Sequence, residues 1–161
     1  MIRHIDFERL HNFRDVGGYR TRDGRSLRWG RLYRSDSLSK LGGTDLARFL
    51  QLGVRTVIDL RYPWEIVARG RIPDGTGTVY YNLCIEHRPY DQAALGPDVE
   101  PARYLADRYA EVAADGVDEL RQALHVIAYG DAPTVVHCSA GKDRTGLLVA
   151  LVLSLLGVSD D

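Results

Sequence analysis

The sequence predicts an α/β fold, a central and mostly parallel sheet flanked by helices. Three observations carry it. Apolar, β-branched runs of strand length occur at residues 54–60 and 134–137. Segments of helical period alternate with them. Asp59 and Cys138 stand at the carboxyl ends of these two runs, where sheets of this kind gather their sites.

Turn signals at Gly17-Gly18, Asp23-Gly24 and Gly42-Gly43 cut the first third into short extended pieces, of which residues 29–34 read as a strand. Thr44 is the expected N-cap of a short helix carrying Leu46, Phe49 and Leu50 on one face, with Gly53 as its stop. A buried strand follows over 54–60, and residues 78–83 are a further strand candidate. Pro89, Gly96 and Pro97 mark residues 84–100 as a long loop. Helices are expected over 102–114 and 117–129, the second with Val117, Leu120, Leu124, Ile127 and Ala128 at helical spacing. Pro133 opens the strand 134–137, and residues 144–156 form the last helix, capped by Gly157. Nine of the ten residues 147–156 are apolar, which is about half the ~20 needed to span a bilayer, so no membrane span is expected. A helix apolar nearly all round is buried on more than one side. The sheet covers one side only, so C-terminal helices missing from this chain, or a second copy in a homo-oligomer, are expected to supply the other.

With 161 residues, a single domain is expected. Residues 1–40 hold ten Lys and Arg against five acids, near +5, which leaves the remainder near −6. Such a segment either steers an anionic substrate or is solvated surface; nothing here demands nucleic acid as a partner. The N-terminus has no apolar run of the signal-peptide kind, and the two cysteines, Cys84 and Cys138, suit free thiols in a reducing compartment, here the cytoplasm. The five histidines show no ligand spacing and no cysteine pair is present, so neither metal nor cofactor is expected.

The chemistry lies in His137-Cys138-Ser139-Ala140-Gly141-Lys142-Asp143-Arg144-Thr145-Gly146. Five residues separate Cys138 from Arg144, between a strand and a helix. A loop of that length wraps one tetrahedral phosphate with successive backbone N–H groups turned inward. Gly141 removes a Cβ where backbone must approach ligand or take positive φ, while Ser139 and Ala140 keep the rim open. The next helix aims its positive end at the same point, and Arg144 presents a planar fork to two oxygens. The same field favours a thiolate at Cys138. These features imply a phosphatase with Cys138 as nucleophile, passing through a phosphocysteine that water hydrolyses. Thr145 is placed to donate to the sulfur, and His137 to fix the loop backbone through its ring nitrogens. A nucleotide-binding Gly-x4-Gly-Lys-Ser/Thr loop is excluded, because Val136 and Asp143 stand where Gly and Ser or Thr are needed.

The run resembles the phosphate-binding loop (P-loop), Cys-x5-Arg, of the protein tyrosine phosphatase superfamily, and its Gly-Lys-Asp-Arg-Thr ending is similar to the bacterial tyrosine-phosphatase-like family. Three further segments resemble that family: residues 12–19 (Asn-Phe-Arg-Asp-Val-Gly-Gly-Tyr), residues 32–35 (Leu-Tyr-Arg-Ser), and residues 57–61 (Val-Ile-Asp-Leu-Arg) with Glu65 after them. The resemblance implies a phosphatase fold, Cys138 as nucleophile and residues 139–144 as the phosphate cradle. It also places Arg14 and Asp15 near the site, unless they form a structural ion pair. Some members are exported without a signal peptide. Members are typically longer than this chain.

A leaving alkoxide or phenolate needs a proton. The resemblance points to Asp143 as the acid; Asp59 at the neighbouring strand end, and Asp91 and Asp98 in the long loop, are alternatives. Phosphotyrosine is the leading substrate class, with phosphoserine or phosphothreonine (dual specificity) and phosphoinositides open. Lys142 suits extra phosphate on a phosphoinositide or simply adds general field. Cys84 is a core residue or a disulfide partner for Cys138. The rival reading is an inactive phosphate-binding module or fragment.

Overall fold

The run 54–60 does supply a central strand in the computed structural model, which describes residues 2–89, 96 and 99–159. The strands are β1 (Arg14–Asp15), β2 (Leu32–Ser35), β3 (Thr56–Asp59), β4 (Val79–Asn82) and β5 (Thr134–His137). They lie in the order β1-β2-β5-β3-β4. Only β1 is antiparallel to its neighbour; the other pairings are parallel. All four residues of β5 are buried, as a strand covered on both faces requires. The register sets Ser35 and Asp59 on either side of His137, with Asn82 beyond Asp59. The chain therefore leaves β2, β5, β3 and β4 at one common edge.

The helices are α1 (Gly43–Gln51), α2 (Pro63–Arg69), α3 (Pro101–Asp115), α4 (Val117–Tyr129) and α5 (Asp143–Leu155). Alternation along the strands sends Ile58 and Val136 to one face, with Leu120, Leu148, Val152 and Cys138. Val57 and Val135 go to the other, with Phe13, Tyr33, Leu38 and Phe49.

The elements match the expected order, with three corrections. The strand expected over 29–34 begins only at Leu32. Gly30 takes φ 71°, and its N–H donates to Asp15 Oδ2 at 2.7 Å, so residues 29–30 belong to a turn. Thr44 does not cap α1: the N-cap is Gly42, and the Thr44 hydroxyl donates to Glu8 Oε1 at 2.9 Å. Helix α2 was not expected. Pro63 opens it at a position where proline's missing N–H costs nothing, and Glu65 accepts the Tyr62 N–H at 2.9 Å. Gly157 does end α5, with φ 76° and the paired bonds Gly157 N→Ser154 O and Val158 N→Leu153 O, both 3.0 Å.

Helix α5 buries Thr145, Leu148, Val149 and Val152, while Leu155 and Leu156 stay 72% and 49% exposed. Its apolar surplus is thus concentrated at the end remote from the loop. Among the described residues no helix is long and apolar enough to cross a membrane.

Candidate active site

Between β5 and α5 the chain turns through residues 138–142, and the loop is held from outside by its carbonyls. The Ser37 N–H donates to Ser139 O at 3.1 Å. Asn12 Nδ2 donates to Ala140 O at 2.8 Å and Gly141 O at 3.1 Å. Arg34 donates to Gly141 O at 2.7 Å and Lys142 O at 3.3 Å. Asn12 is itself placed by Asp36, whose Oδ1 accepts the His11 and Asn12 N–H groups, each at 3.2 Å. With every carbonyl from 139 to 142 engaged outward, the N–H groups of residues 139–145 donate to no protein acceptor among the described residues. A row of N–H groups followed by the start of a 13-residue helix is an anion-binding arrangement.

Gly141 makes the turn possible. Its φ is 68°, and a Cβ there would stand 2.3 Å from Ser35 O and 2.7 Å from Asp36 N. Of the two reasons for expecting glycine, positive φ holds, and the close approach is to the backbone after β2. Cys138 is buried at the loop's start. Ala140 and Lys142 form the exposed rim, the lysine Nζ lying 3.7 Å from Asp143 Oδ1.

Arg144 is aimed by Glu65, a residue that the sequence presents only as a neighbour of the Asp-Leu-Arg segment. Arg144 Nη1 donates to Glu65 Oε2 at 2.6 Å and Nη2 to Oε1 at 3.2 Å. The Ser139 hydroxyl donates to Glu65 Oε1 as well. Burial of Glu65 opposes its charge, but the Arg144 guanidinium, the Ser139 hydroxyl and the Tyr62 N–H outweigh that and hold its pKa at about 2. Burial likewise works against charge on Arg144, and Glu65, the Cys138 sulfur and Glu86 more than compensate, moving its pKa upward. Glu86 lies 3.7 Å from Arg144 Nε and 3.3 Å from Arg108 Nη2. The Tyr62 ring lies 5.5 Å from the Arg144 guanidinium carbon and stacks on Trp64.

Asp143 occupies the first turn of α5, half-buried, and accepts the Tyr109 hydroxyl at 2.7 Å. Beside it a cavity of about 120 Å³ is walled by Leu105, Tyr109 and Val112 of α3, by Leu147, and by Arg144 and Glu86.

Asp59 is not brought to this cluster. It is wholly buried and accepts from Arg61 Nε at 2.9 Å, Arg61 Nη2 at 2.6 Å, Arg61 N at 3.1 Å and the Tyr80 hydroxyl at 2.7 Å. Burial raises its pKa, but Arg61, His137 and Tyr80 prevail and lower it. This is an anchored carboxylate. Asp91 and Asp98 lie outside the described residues. One ring nitrogen of His137 meets the loop backbone: Nδ1 lies 3.2 Å from Cys138 O, a carbonyl to which it can only donate, while Nε2 is buried without a hydrogen-bond partner, 3.5 Å from Asp59 Oδ2. Burial keeps its pKa below the ordinary value, so the ring is neutral near pH 7. The Thr145 hydroxyl is buried with no hydrogen-bond partner, so it does not donate to the sulfur here.

Arg14 and Asp15 do not pair with each other. Arg14 donates to Asn12 O at 3.3 Å and to the Asn12 side chain, while Asp15 accepts the N–H groups of Gly17 and Gly30. Cys84 and Cys138 are both free; Cys84 Sγ donates to Glu86 O at 3.2 Å, and burial raises its pKa although Arg144 opposes the rise.

Comparison with known proteins agrees with this geometry. The model of the tyrosine phosphatase family matches residues 5–161. The triple specificity protein phosphatase PtpB of Mycobacterium tuberculosis is 30% identical over 177 residues, covering 93% of this chain and 63% of the relative. A Cupriavidus necator protein, named as a candidate tyrosine-protein phosphatase, is 33% identical over 169 residues, covering 98% of this chain and 59% of its own length. The chain thus spans about 60% of the length of these curated relatives. On the match across nearly its whole length, the chain belongs to the tyrosine phosphatase family.

Proposed function

We propose that this chain is a cysteine-dependent phosphatase that hydrolyses phosphate monoesters of proteins through a phosphocysteine. The observation that carries the reading is the loop's division of labour. Its carbonyls are bound from outside by Ser37, Asn12 and Arg34, which leaves its N–H groups for three phosphate oxygens between the Cys138 sulfur and Arg144.

In the proposed first step the Cys138 thiolate attacks phosphorus. The S–P bond forms, the P–O bond to the leaving group breaks, and the leaving oxygen takes a proton from Asp143. In the second step water attacks phosphorus, the S–P bond breaks, phosphate departs and the thiolate is restored, with Asp143 recovering a proton from the water. The N–H row and Arg144 match the charge that spreads over the equatorial oxygens. Glu65 is a positioning residue that keeps the guanidinium fork facing the loop. Asp143 lines the cavity whose apolar wall is Leu105, Tyr109, Val112 and Leu147, and a flat aromatic leaving group is the one such a wall accepts best. Phosphotyrosine is therefore the proposed main substrate. PtpB carries triple specificity in its name, which supports testing phosphoserine, phosphothreonine and phosphoinositides beside it. Exposed Lys142 is the residue proposed to meet additional phosphate.

The test is turnover of a small aryl phosphate by wild type, Cys138→Ser and Asp143→Asn, with acid quench to trap labelled enzyme. Cys138→Ser is expected to lose turnover by at least about 10³-fold and to bind phosphate still; Asp143→Asn should lose about 10²–10⁴-fold on poor leaving groups and less on good ones. Phosphate binding by a folded wild type with no turnover and no trapped phosphocysteine would establish the rival reading, an inactive phosphate-binding module.

A further inference from the structure

Part of the basic surplus of residues 1–40 converges behind the phosphate loop. Arg3, Arg14 and Arg34 line a cavity of about 160 Å³ against the face of α5 that carries Gly146 and Ala150, room for several water-sized groups. The described hydrogen bonds of these three arginines go to uncharged oxygens. Arg3 Nε donates to Gly17 O at 3.0 Å and its guanidinium lies over the Tyr19 ring at 3.8 Å. Arg14 donates to the carbonyl and side chain of Asn12. Arg34 donates to Gly141 O and Lys142 O, and its Nε is buried with no hydrogen-bond partner.

One acid, Asp15, also lines the cavity. Both its oxygens are occupied by N–H groups, those of Gly17 and Gly30, each at 2.7 Å, so it is held in the turn and pairs with none of the three arginines. Burial, and then the nearness of Arg14, lower the pKa of Arg34, although Cys138 and Tyr19 oppose the fall; with Arg3, Arg14 and Arg34 against the single carboxylate of Asp15, cations outnumber acids in the lining. Guanidinium groups in such a setting present planar donors matched to oxyanions.

We propose that this cavity binds a free dianionic oxyanion of the phosphate class through Arg3, Arg14 and Arg34, as a second site distinct from the loop at Cys138. The ligand offsets the excess of cations over Asp15 and supplies an acceptor for the Arg34 Nε–H. Because Arg34 also holds the carbonyls of Gly141 and Lys142, the two sites share one guanidinium.

The experiment counts inorganic phosphate bound at saturation, by equilibrium dialysis, in wild type, Ala150→Glu and Ala150→Gln. Ala150 is exposed on α5 and lines the cavity, and Glu and Gln differ in charge at nearly equal shape, so the Gln variant controls for any steric effect on Arg34. Two equivalents are expected for wild type and for Ala150→Gln, with one of the two weakened at least about tenfold in Ala150→Glu, where a carboxylate takes the anion's place. A single equivalent in wild type that Ala150→Glu leaves unchanged overturns the second site, as do two equivalents equally insensitive to both substitutions. A single equivalent that Ala150→Glu removes sustains the second site and instead sinks the phosphate-cradle reading of the loop, so the two failures are told apart.

Discussion

Glu65 offers the sharpest quantitative test of how Arg144 is held. It is 7% exposed and receives two donors from Arg144, one from Ser139 and one from the Tyr62 backbone. Its pKa falls from an ordinary 4.5 to about 2. A difference of that size corresponds to about 3 kcal/mol favouring the folded, ionised form at neutral pH. The direction follows from the depression: the contribution is complete above the unfolded value near 4.5 and is lost as pH falls toward 2. Glu65→Gln keeps the shape and removes the charge, leaving Arg144, among the described residues, Glu86 at 3.7 Å as its carboxylate partner. The variant should therefore be less stable by about 3 kcal/mol at pH 7. For a domain of this size that is about 6–12 °C in Tm. Between about pH 4.5 and pH 2 the gap should close by about 1.4 kcal/mol per pH unit. Urea unfolding of both proteins at pH 7, 5, 4 and 3 reads this directly, because the other carboxylates are common to the pair. A gap that stays constant from pH 7 to pH 3, whatever its size, would show that Glu65 does not hold Arg144 through its charge.

Two further substitutions address the loop. Gly141→Ala must bear a left-handed φ, about 1–2 kcal/mol for a residue with a Cβ, and must relieve a 2.3 Å approach to Ser35 O by moving the loop by about 1 Å, a displacement that can cost 10²-fold in rate. Activity on an aryl phosphate should fall by that order, with a stability loss of at least about 2 kcal/mol in denaturant unfolding; near-wild-type kinetics would mean that the loop does not lean on β2. Asn12→Asp replaces the amide that donates to Ala140 O and Gly141 O with a carboxylate facing two carbonyls. Phosphate affinity should drop about tenfold or more, recovering in part as low pH protonates the new carboxyl group, and titrations at pH 7 and pH 4.5 would expose a loop held by something else.

The sequence disclosed the parts of the site without their connections. The segments 12–19, 32–35, 57–61 and 137–146 stand far apart in the chain, yet Asn12, Arg34 and the residues after Ser35 meet one loop because β2 and β5 are parallel neighbours. Cys138, Gly141 and Arg144 stood out because their pattern is local: a thiol, a turn and a guanidinium at fixed offsets between a strand and a helix. The part played by Glu65 did not stand out, because it needs α2 to lie beside the loop, and in the sequence Glu65 stands only as a residue following the segment 57–61. The missed helix α2 had a signal in Pro63 followed by Glu65. The cavity wall from α3 had none, since which face of a helix meets the site depends on packing that no period reveals.

Asp59 shows most clearly what a strand-end rule can and cannot supply. The rule places a residue at the correct edge of a sheet but is silent on which face its side chain takes, and with a period of two a single residue decides that. The register pairs Asp59 with His137 rather than with Cys138. Asp59 therefore shares a face with Val57 and Val135, where Tyr80 and Arg61 bind it, while Cys138 packs with Ile58, Leu60 and Val136 on the opposite face. A carboxylate locked on the far side of the sheet from the sulfur, wholly buried and fully bonded, has no path by which to hand a proton to an oxygen leaving from the loop. Among the described candidates Asp143, on the helix that begins at the loop, is the one the proposed proton transfer can use, so that proposal turns on one residue of strand register that the sequence alone does not encode.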